Sequence, residues 1–259
     1  MSRGRTVGII PARLESTRLP GKVLLSETGW PLIRHVFESA RRAASLSEVV
    51  VATDDQRVLD ACRGFGARAV ATRTDHANGT SRLCEAATAL GLGPDDVVVN
   101  VQGDEPEVEP EAIDAAVAAL RTRRMGGTGE NGEASIGTVA VPFGPSEDTK
   151  DPNCVKVVVG VDGRALYFSR SLIPFDRDAR GGDDAGVLRH VGLYAYRTGF
   201  LLRYAGLEPT PLERAEQLEQ LRALEHGYTI GVAIRPSARP GIDTAEQYRA
   251  FVERFRAGR

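Results

Sequence analysis

Three cations stand in one short stretch, Pro11-Ala12-Arg13-Leu14-Glu15-Ser16-Thr17-Arg18-Leu19-Pro20-Gly21-Lys22. Arg13 and Arg18 offer planar forks and Lys22 a compact point charge, both suited to phosphate oxygens. The glycine and the small residues let backbone amides approach the same oxygens. Two aspartates lie far downstream, Asp104 in Gln102-Gly103-Asp104-Glu105-Pro106 and Asp243 in Gly241-Ile242-Asp243-Thr244. Carboxylates are the donors that Mg²⁺ takes when it sits on substrate phosphates. Cations for phosphates and carboxylates for a divalent ion together suit the binding of a nucleoside triphosphate with its metal. Each group also has a plainer reading: a solvated basic loop, a turn aspartate, a helix cap.

The elements around these residues separate the readings. Val7-Gly8-Ile9-Ile10 is a buried parallel strand, and the basic loop leaves its carboxyl end. Open α/β sheets bind nucleotides at that end of their strands. Val97-Val98-Val99-Asn100-Val101 is the most strand-like run of the chain, and Asp104 follows it directly. At the other end, Thr244 and Gln247 make a capping box, which leaves Asp243 one residue outside the helix and available as a second metal ligand.

Between these points the pattern alternates strand and helix. Leu24-Leu25 and Trp30-Pro31 flank a polar turn read as a small hairpin, and Pro31 opens a helix with Leu32, Val36, Phe37 and Ala40. Val49–Ala52 is a second strand, with Asp54 or Asp55 capping the next helix. Ala67–Ala71 is a third strand. The polar loop from Thr72 to Arg82 follows, with Thr80 or Ser81 as its cap. A helix runs from about Pro110 to Arg121. Arg123–Glu133, rich in glycine and charge, is a flexible excursion. Ile136–Val141 is a strand, and Lys156–Val159 with Ala165–Phe168 form an antiparallel hairpin turned at Asp162-Gly163. Ile230–Ile234 is the last strand.

Two later stretches carry polar groups of another kind. In Leu188–Tyr196, Val191, Leu193 and Ala195 share an apolar face, and His190, Gly192, Tyr194 and Tyr196 share the other. Aromatic bodies with hydrogen-bonding tips suit a polyhydroxylated sugar, although a strand with one wet face reads the same way. A single helix over about 212–224 puts Glu213, Glu216, Gln217 and Gln220 on one arc, which alone reads as solvated surface.

The composition limits the alternatives. The chain has 259 residues and a formal charge of −2. That size is one large domain, or a domain with a lobe. The balanced charge points away from nucleic acid. Cys62, Cys84 and Cys154 are far apart, so reduced cytosolic thiols are expected, without a disulfide or zinc site. No signal-peptide pattern opens the sequence and no run has the length to span a membrane. The expected location is cytoplasmic.

These motifs resemble the 3-deoxy-manno-octulosonate cytidylyltransferases, the CMP-KDO synthetases, nearly end to end from Ile9 to about Tyr248. The carriers are the Pro-Ala-Arg and Ser-Thr-Arg-Leu-Pro-Gly-Lys loop, the Thr72–Arg82 loop, Val99–Pro106, the Leu-Glu-Gln-Leu-Arg helix and the Asp243 turn. The chain departs at Ser81, where the family more often has an acid, and its 123–133 excursion is longer than usual. The resemblance implies one α/β domain over 1–259, Rossmann-like at its start. It has a mixed central sheet and a β-rich lobe at about 138–196 that serves the sugar and a homodimer. It implies CTP and KDO as substrates, CMP-KDO and pyrophosphate as products for lipopolysaccharide or a related surface glycan, and Mg²⁺ as cofactor. Another ulosonic acid, such as 8-amino-KDO, would fit the same face.

The resemblance also assigns residues. Pro11, Ala12, Arg13, Arg18, Lys22, Arg73, Asn78, Gly79, Gln102 and Asp104 would border the nucleotide. Gln102, Arg170, His190, Tyr194, Glu216 and Gln220 would meet the sugar acid. Arg13, Lys22, Asp104 and Asp243 form the catalytic set, with Asp104 and Asp243 on the metal. Three rivals are weaker. Hydride transfer lacks its GxGxxG after Ile10. A glycosyltransferase would carry Asp-x-Asp where this chain has Asp104-Glu105-Pro106. A non-catalytic nucleotide binder would be free to lose these charged groups.

Overall fold

The computed structural model describes residues 4–15, 18–76, 78–123, 132–145, 147–178, 186–239 and 241–258. Ser16 and Thr17 of the basic loop and most of the 123–133 excursion lie outside the described residues. In chain order, β1 (Thr6–Ala12), α1 (Leu32–Ala40), β2 (Glu48–Thr53), α2 (Gln56–Gly64), β3 (Arg68–Ala71), α3 (Gly79–Ala89), β4 (Val97–Asn100) and α4 (Pro110–Ala119) come first. They are followed by β5 (Ile136–Pro142), β6 (Lys156–Val159), β7 (Ala165–Ser169), β8 (Leu188–Arg197), α5 (Thr198–Tyr204), α6 (Pro211–Glu216), α7 (Gln220–Glu225), β9 (Ile230–Ile234) and α8 (Ala245–Ala257). The backbone divides into two compact units, Met1–Asp114 with Arg239–Arg259, and Ala115–Ala238. The expected lobe at about 138–196 falls within the second.

In the first unit β3, β2, β1 and β4 lie side by side in that order, all parallel. Ile9, Ile10, Val50, Val51, Val98 and Val99 are fully buried, as the apolar runs require of strands covered on both faces. Parallel alignment brings the carboxyl ends of β1, β2 and β4 to one edge, where ligands of open α/β sheets sit. α8, from the end of the chain, joins this unit. Its Tyr248, Phe251 and Val252 pack with Leu32 and Ile242, and Leu19 and Leu25 lie against the same cluster. Apolar anchors thus tie the basic loop and the residue before Asp243 to one core.

The second unit is a mixed sheet. β5 pairs antiparallel with β8 and parallel with β9. β6 and β7 form the expected antiparallel hairpin, and β6 also pairs with β8. Gly163 at φ +78° supplies the left-handed turn residue between them.

Three local expectations are corrected. The stretch 24–31 is not a hairpin: Lys22–Leu24 is a 3₁₀ turn, and the Leu32 amide returns to the Leu25 carbonyl at 2.9 Å. The helix over 212–224 is two short helices, because Gln217 takes φ +53° and ends α6. The regular arc of Glu213, Glu216, Gln217 and Gln220 therefore does not exist. α3 is capped by Asn78, whose side chain accepts from the Ser81 amide at 2.9 Å, and not by Thr80 or Ser81. Among the described residues, no helix is long and apolar enough to cross a membrane.

Candidate active site

The first unit holds a cleft of about 1090 Å³ at the carboxyl edge of its sheet. Pro11, Arg13, Arg18, Gly21, Lys22, Gln102, Gly103, Asp104 and Asp243 all line it. The loop after β1 closes on itself through the Gly21 amide, which donates to the Leu14 carbonyl at 3.0 Å. Gly21 makes this closure at φ +68°, a conformation that costs glycine little. The chain then turns into the 3₁₀ segment and aims Lys22 inward. The ends of β1 and β4 approach closely, since a Cβ on Gly103 would stand 2.8 Å from the Pro11 carbonyl.

Three oxygens converge on the Lys22 ammonium. Nζ donates to Asp104 Oδ2 at 2.6 Å, to Asp243 Oδ1 at 3.0 Å and to the Ile242 carbonyl at 3.0 Å. The lysine side chain is only 12% exposed. Arg18 adds a second cation, with Nη2 2.9 Å from Asp243 Oδ2. The Asp243 amide and the Thr244 amide both donate to Gln247 Oε1, and Thr244 caps α8, so the expected capping box leaves Asp243 outside the helix.

A cofactor metal is tested by this donor set. Among the described residues no three His, Cys, Asp or Glu side chains gather to hold a metal ion. What the chain does offer is two carboxylate oxygens and one carbonyl oxygen, already converging on a single positive charge. Mg²⁺ is commonly bound through one or two carboxylates, with substrate phosphates and waters completing its shell. The hard oxygen set fits that ion, and Lys22 is the cation it holds here.

A smaller cavity of about 130 Å³ shares Pro11, Arg13 and Gln102 with the cleft and is lined further by Ala12, His76, Asn78, Gly79 and Arg82. Of the residues expected beside the nucleotide, Arg73 alone lines neither cavity. Its Nε lies 3.4 Å from Asp75 and its amide donates to Glu85, so it belongs to the outer surface. Arg82, given no role by the sequence reading, takes a place there instead. Its side chain is buried and bonds Asp54 at 3.0 Å and Thr72 at 2.6 Å. Its signal was an arginine on the same buried helix face as Leu83 and Ala86. Asp55, not Asp54, caps α2, accepting from the Arg57 amide at 2.8 Å. His76 was also unassigned; its ring bridges Ser81 Oγ at 3.1 Å and Glu85.

The second unit gathers the other expected set. On β8 the His190 and Tyr194 rings are 5.2 Å apart and Tyr194 stacks on Tyr196 at 5.8 Å, so these three do share a face. Phe168 meets His190 edge-on at 5.0 Å. His190 Nε2 lies 3.0 Å from Thr138 Oγ1, whose hydroxyl donates to the Leu193 carbonyl at 2.8 Å. With that hydroxyl proton committed, the neutral imidazole carries its proton on Nε2 and leaves Nδ1 as an acceptor. Burial and neighbouring Arg189 push the imidazole pKa down to about 3. Burial likewise pushes the Tyr194 phenol up.

Glu216 and Arg170 meet, but not as two open substrate ligands. Glu216 accepts from Ser169 Oγ at 2.6 Å and from the Arg170 amide at 2.9 Å. Burial works to raise its pKa, and the bonds from Arg170, Ser169 and Tyr167 together hold it below the usual value. Arg170 donates from Nε to the Glu216 carbonyl at 2.7 Å, from Nη1 to Pro152 at 2.9 Å and from Nη2 to Gln217 at 3.3 Å. Of its five N–H groups, three therefore brace the main chain. Gln220 is buried at the start of α7. Glu213, expected beside Glu216, instead forms a two-point ion pair with Arg222 at 2.5 and 2.7 Å.

Comparison with known proteins gives the family. The family model described as cytidylyltransferase matches residues 7–230. The 3-deoxy-manno-octulosonate cytidylyltransferase of Syntrophobacter fumaroxidans is 49% identical over 248 residues, covering 96% of each chain. That of Pseudomonas fluorescens is 49% identical over 253 residues, covering 95% of this chain and 96% of its own. A solved CMP:2-keto-3-deoxy-manno-octonic acid synthetase complexed with CTP superposes with a TM-score of 0.87 at 38% identity, over 98% of this chain and all of the other. The 4-diphosphocytidyl-2C-methyl-D-erythritol synthase of Anaerococcus prevotii shares the fold, with a TM-score of 0.62 at 12% identity over 98% of this chain and all of its own.

Proposed function

The chain belongs to the cytidylyltransferase family, among the 3-deoxy-manno-octulosonate cytidylyltransferases, and we propose that it joins the CMP unit of CTP to the anomeric hydroxyl of 3-deoxy-manno-octulosonate, releasing pyrophosphate. The observation that carries the reading is the meeting of Arg18, Lys22, Asp104 and Asp243 in one cleft at the strand ends. Three cations from one loop suit a triphosphate, and two aspartates suit the divalent ion that travels with it.

The chemistry asks for position and charge. The sugar hydroxyl attacks the α-phosphorus in line: its oxygen bonds to phosphorus, its proton passes to solvent, and the bond to the pyrophosphate oxygen breaks. Negative charge grows on the phosphoryl oxygens and on the leaving group. Arg13 and Arg18 would grip the triphosphate from the exposed rim of the cleft, and Lys22 would neutralise it from inside. Preorganised cations of this kind lower the barrier because they need no reorganisation as charge develops. Asp104 and Asp243 would hold Mg²⁺, which when bound neutralises the triphosphate and makes a coordinated hydroxyl more acidic. The nucleoside would take the smaller cavity beside Pro11, Ala12, Asn78, Gly79 and Gln102.

On the sugar side, His190 would accept a hydroxyl at Nδ1, and Tyr194, Glu216 and Gln220 would bond others. The remaining N–H groups of Arg170 would meet the carboxylate. The test is pyrophosphate release with each nucleoside triphosphate offered alone and with each of several ulosonic acids. Release that needs both CTP and 3-deoxy-manno-octulosonate supports the reading. Release that another sugar acid drives better would move the substrate within the ulosonates.

A further inference from the structure

Lys156 is fully buried, at 0% exposure, and no role in the reaction described above falls to it. Lysine is almost never found in that state without partners. Its partners here are all main-chain carbonyls: Asp151 at 2.9 Å, Cys154 at 2.7 Å and Arg170 at 2.5 Å. An ammonium has three N–H groups, and all three are taken. The residue is also fully buried and, unlike Lys22, lines no cleft described above, so the side chain acts through the segments it holds. Burial draws its pKa below the ordinary lysine value, while Asp151, Asp148 and Glu216 work in the opposite direction.

Those segments converge on Arg170. Lys156 takes the Arg170 carbonyl, and Glu216 takes its amide at 2.9 Å. Asp151 and Cys154, the other two partners, flank Pro152, whose carbonyl accepts from Arg170 Nη1 at 2.9 Å. One buried charge therefore fixes the backbone of Arg170 on one side and the loop that receives its guanidinium on the other. Glu216, held by the Arg170 amide and Ser169, is set by the same node.

We propose that Lys156 is a positioning residue of the sugar-acid half-site, setting Arg170 and Glu216 for the substrate without touching it. The proposal rests on the reading of Arg170 and Glu216 as sugar-acid ligands. Removing the ammonium takes one donor from each of the three carbonyls, of which that of Asp151 keeps the Cys154 amide at 3.1 Å, and frees Arg170 of its tether, while the cleft of the first unit keeps its own contacts.

The experiment is steady-state pyrophosphate release by Lys156→Met and Lys156→Gln, with CTP and 3-deoxy-manno-octulosonate varied in turn and folding followed by circular dichroism. KM for the sugar acid is expected to rise at least tenfold, with KM for CTP within about threefold of wild type. Folded variants in which both KM values move together, or neither moves, overturn the proposal. Should neither variant fold, the wild-type protein serves. It has three lysines, Lys22, Lys150 and Lys156, so ¹⁵N-lysine labelling with Lys22→Met and Lys150→Arg controls assigns the Lys156 Nζ signal. The sugar acid alone is expected to shift that signal and CTP alone to leave it. A shift with CTP alone, or with neither, overturns the proposal. An inactive wild type would instead defeat the functional reading, and an active wild type whose folded variants show no KM split defeats only the role of Lys156.

Discussion

The amide of Ile242 donates to the carbonyl of Asp104 at 2.8 Å. Through that bond the last turn before α8 is fastened to the loop after β4, and Asp104 and Asp243 both come within hydrogen-bond distance of the Lys22 ammonium. Ile242 is buried with Leu32, Tyr248, Phe251 and Val252, so the bond stands on an apolar base. Two carboxylates more than a hundred positions apart are thus held by main chain and core, not by their mutual charge.

Lys22→Met is expected to fold and to lose most of kcat/KM. Removing one preorganised donor to a developing anion costs about 2.7–4 kcal/mol in comparable sites. The same substitution takes the resident cation off Asp104, Asp243 and Ile242, so Mn²⁺ should bind the nucleotide-free variant more tightly than wild type. Steady-state kinetics and a Mn²⁺ titration check the two halves. Wild-type turnover in the folded variant would remove Lys22 from the triphosphate.

Asp104→Asn and Asp243→Asn are expected to act as one unit. Each alone should abolish most activity, and the double variant should add little, because groups serving one ion lose their function together. A double-mutant cycle in kcat/KM measures this. Additive losses would argue for two separate sites.

Much of this was legible in the sequence, and the reasons differ by residue. The parallel strands announced themselves as unbroken apolar runs, and the loop that ends in Lys22 and the turn that carries Asp104 follow two of them. Asp243 was set outside α8 by its capping box, a local pattern of four residues. Gln217 was not legible. Nothing in Leu212–Leu224 signals a left-handed residue, and the break follows from tertiary bonds: Arg222 takes Glu213, and Arg170 takes the carbonyls of Glu216 and Gln217. Arg73 and Arg82 could not be told apart by type. Only the packing of α3 turns one inward to Asp54 and leaves the other outside.

Substrate-selective losses should separate the two sets of residues. Arg170→Ala and His190→Ala should raise KM for the sugar acid far more than KM for CTP, and Arg13→Ala should do the reverse. Varying each substrate in turn decides. Because Arg170 also braces Pro152, Glu216 and Gln217, its variant should be the less stable of the first two in thermal unfolding.

His190 also gives a pH signature. Its folded pKa of about 3 lies below the ordinary 6.5, so the unfolded chain binds the proton first as pH falls. Stability contributed by the neutral ring is full above about pH 6.5 and drains towards pH 3, by at most about 1.4 kcal/mol per pH unit. His190→Gln should therefore lose less Tm between pH 7 and pH 4.5 than wild type. An equal loss in both would show that His190 does not set the acid limb.

The most direct measurement is pyrophosphate release by the purified protein with CTP and Mg²⁺, before and after addition of 3-deoxy-manno-octulosonate. The account predicts negligible release without the sugar acid, stoichiometric CMP–sugar formation with it, and no turnover after chelation. Release of pyrophosphate from CTP alone, or no release with both substrates present, would contradict it.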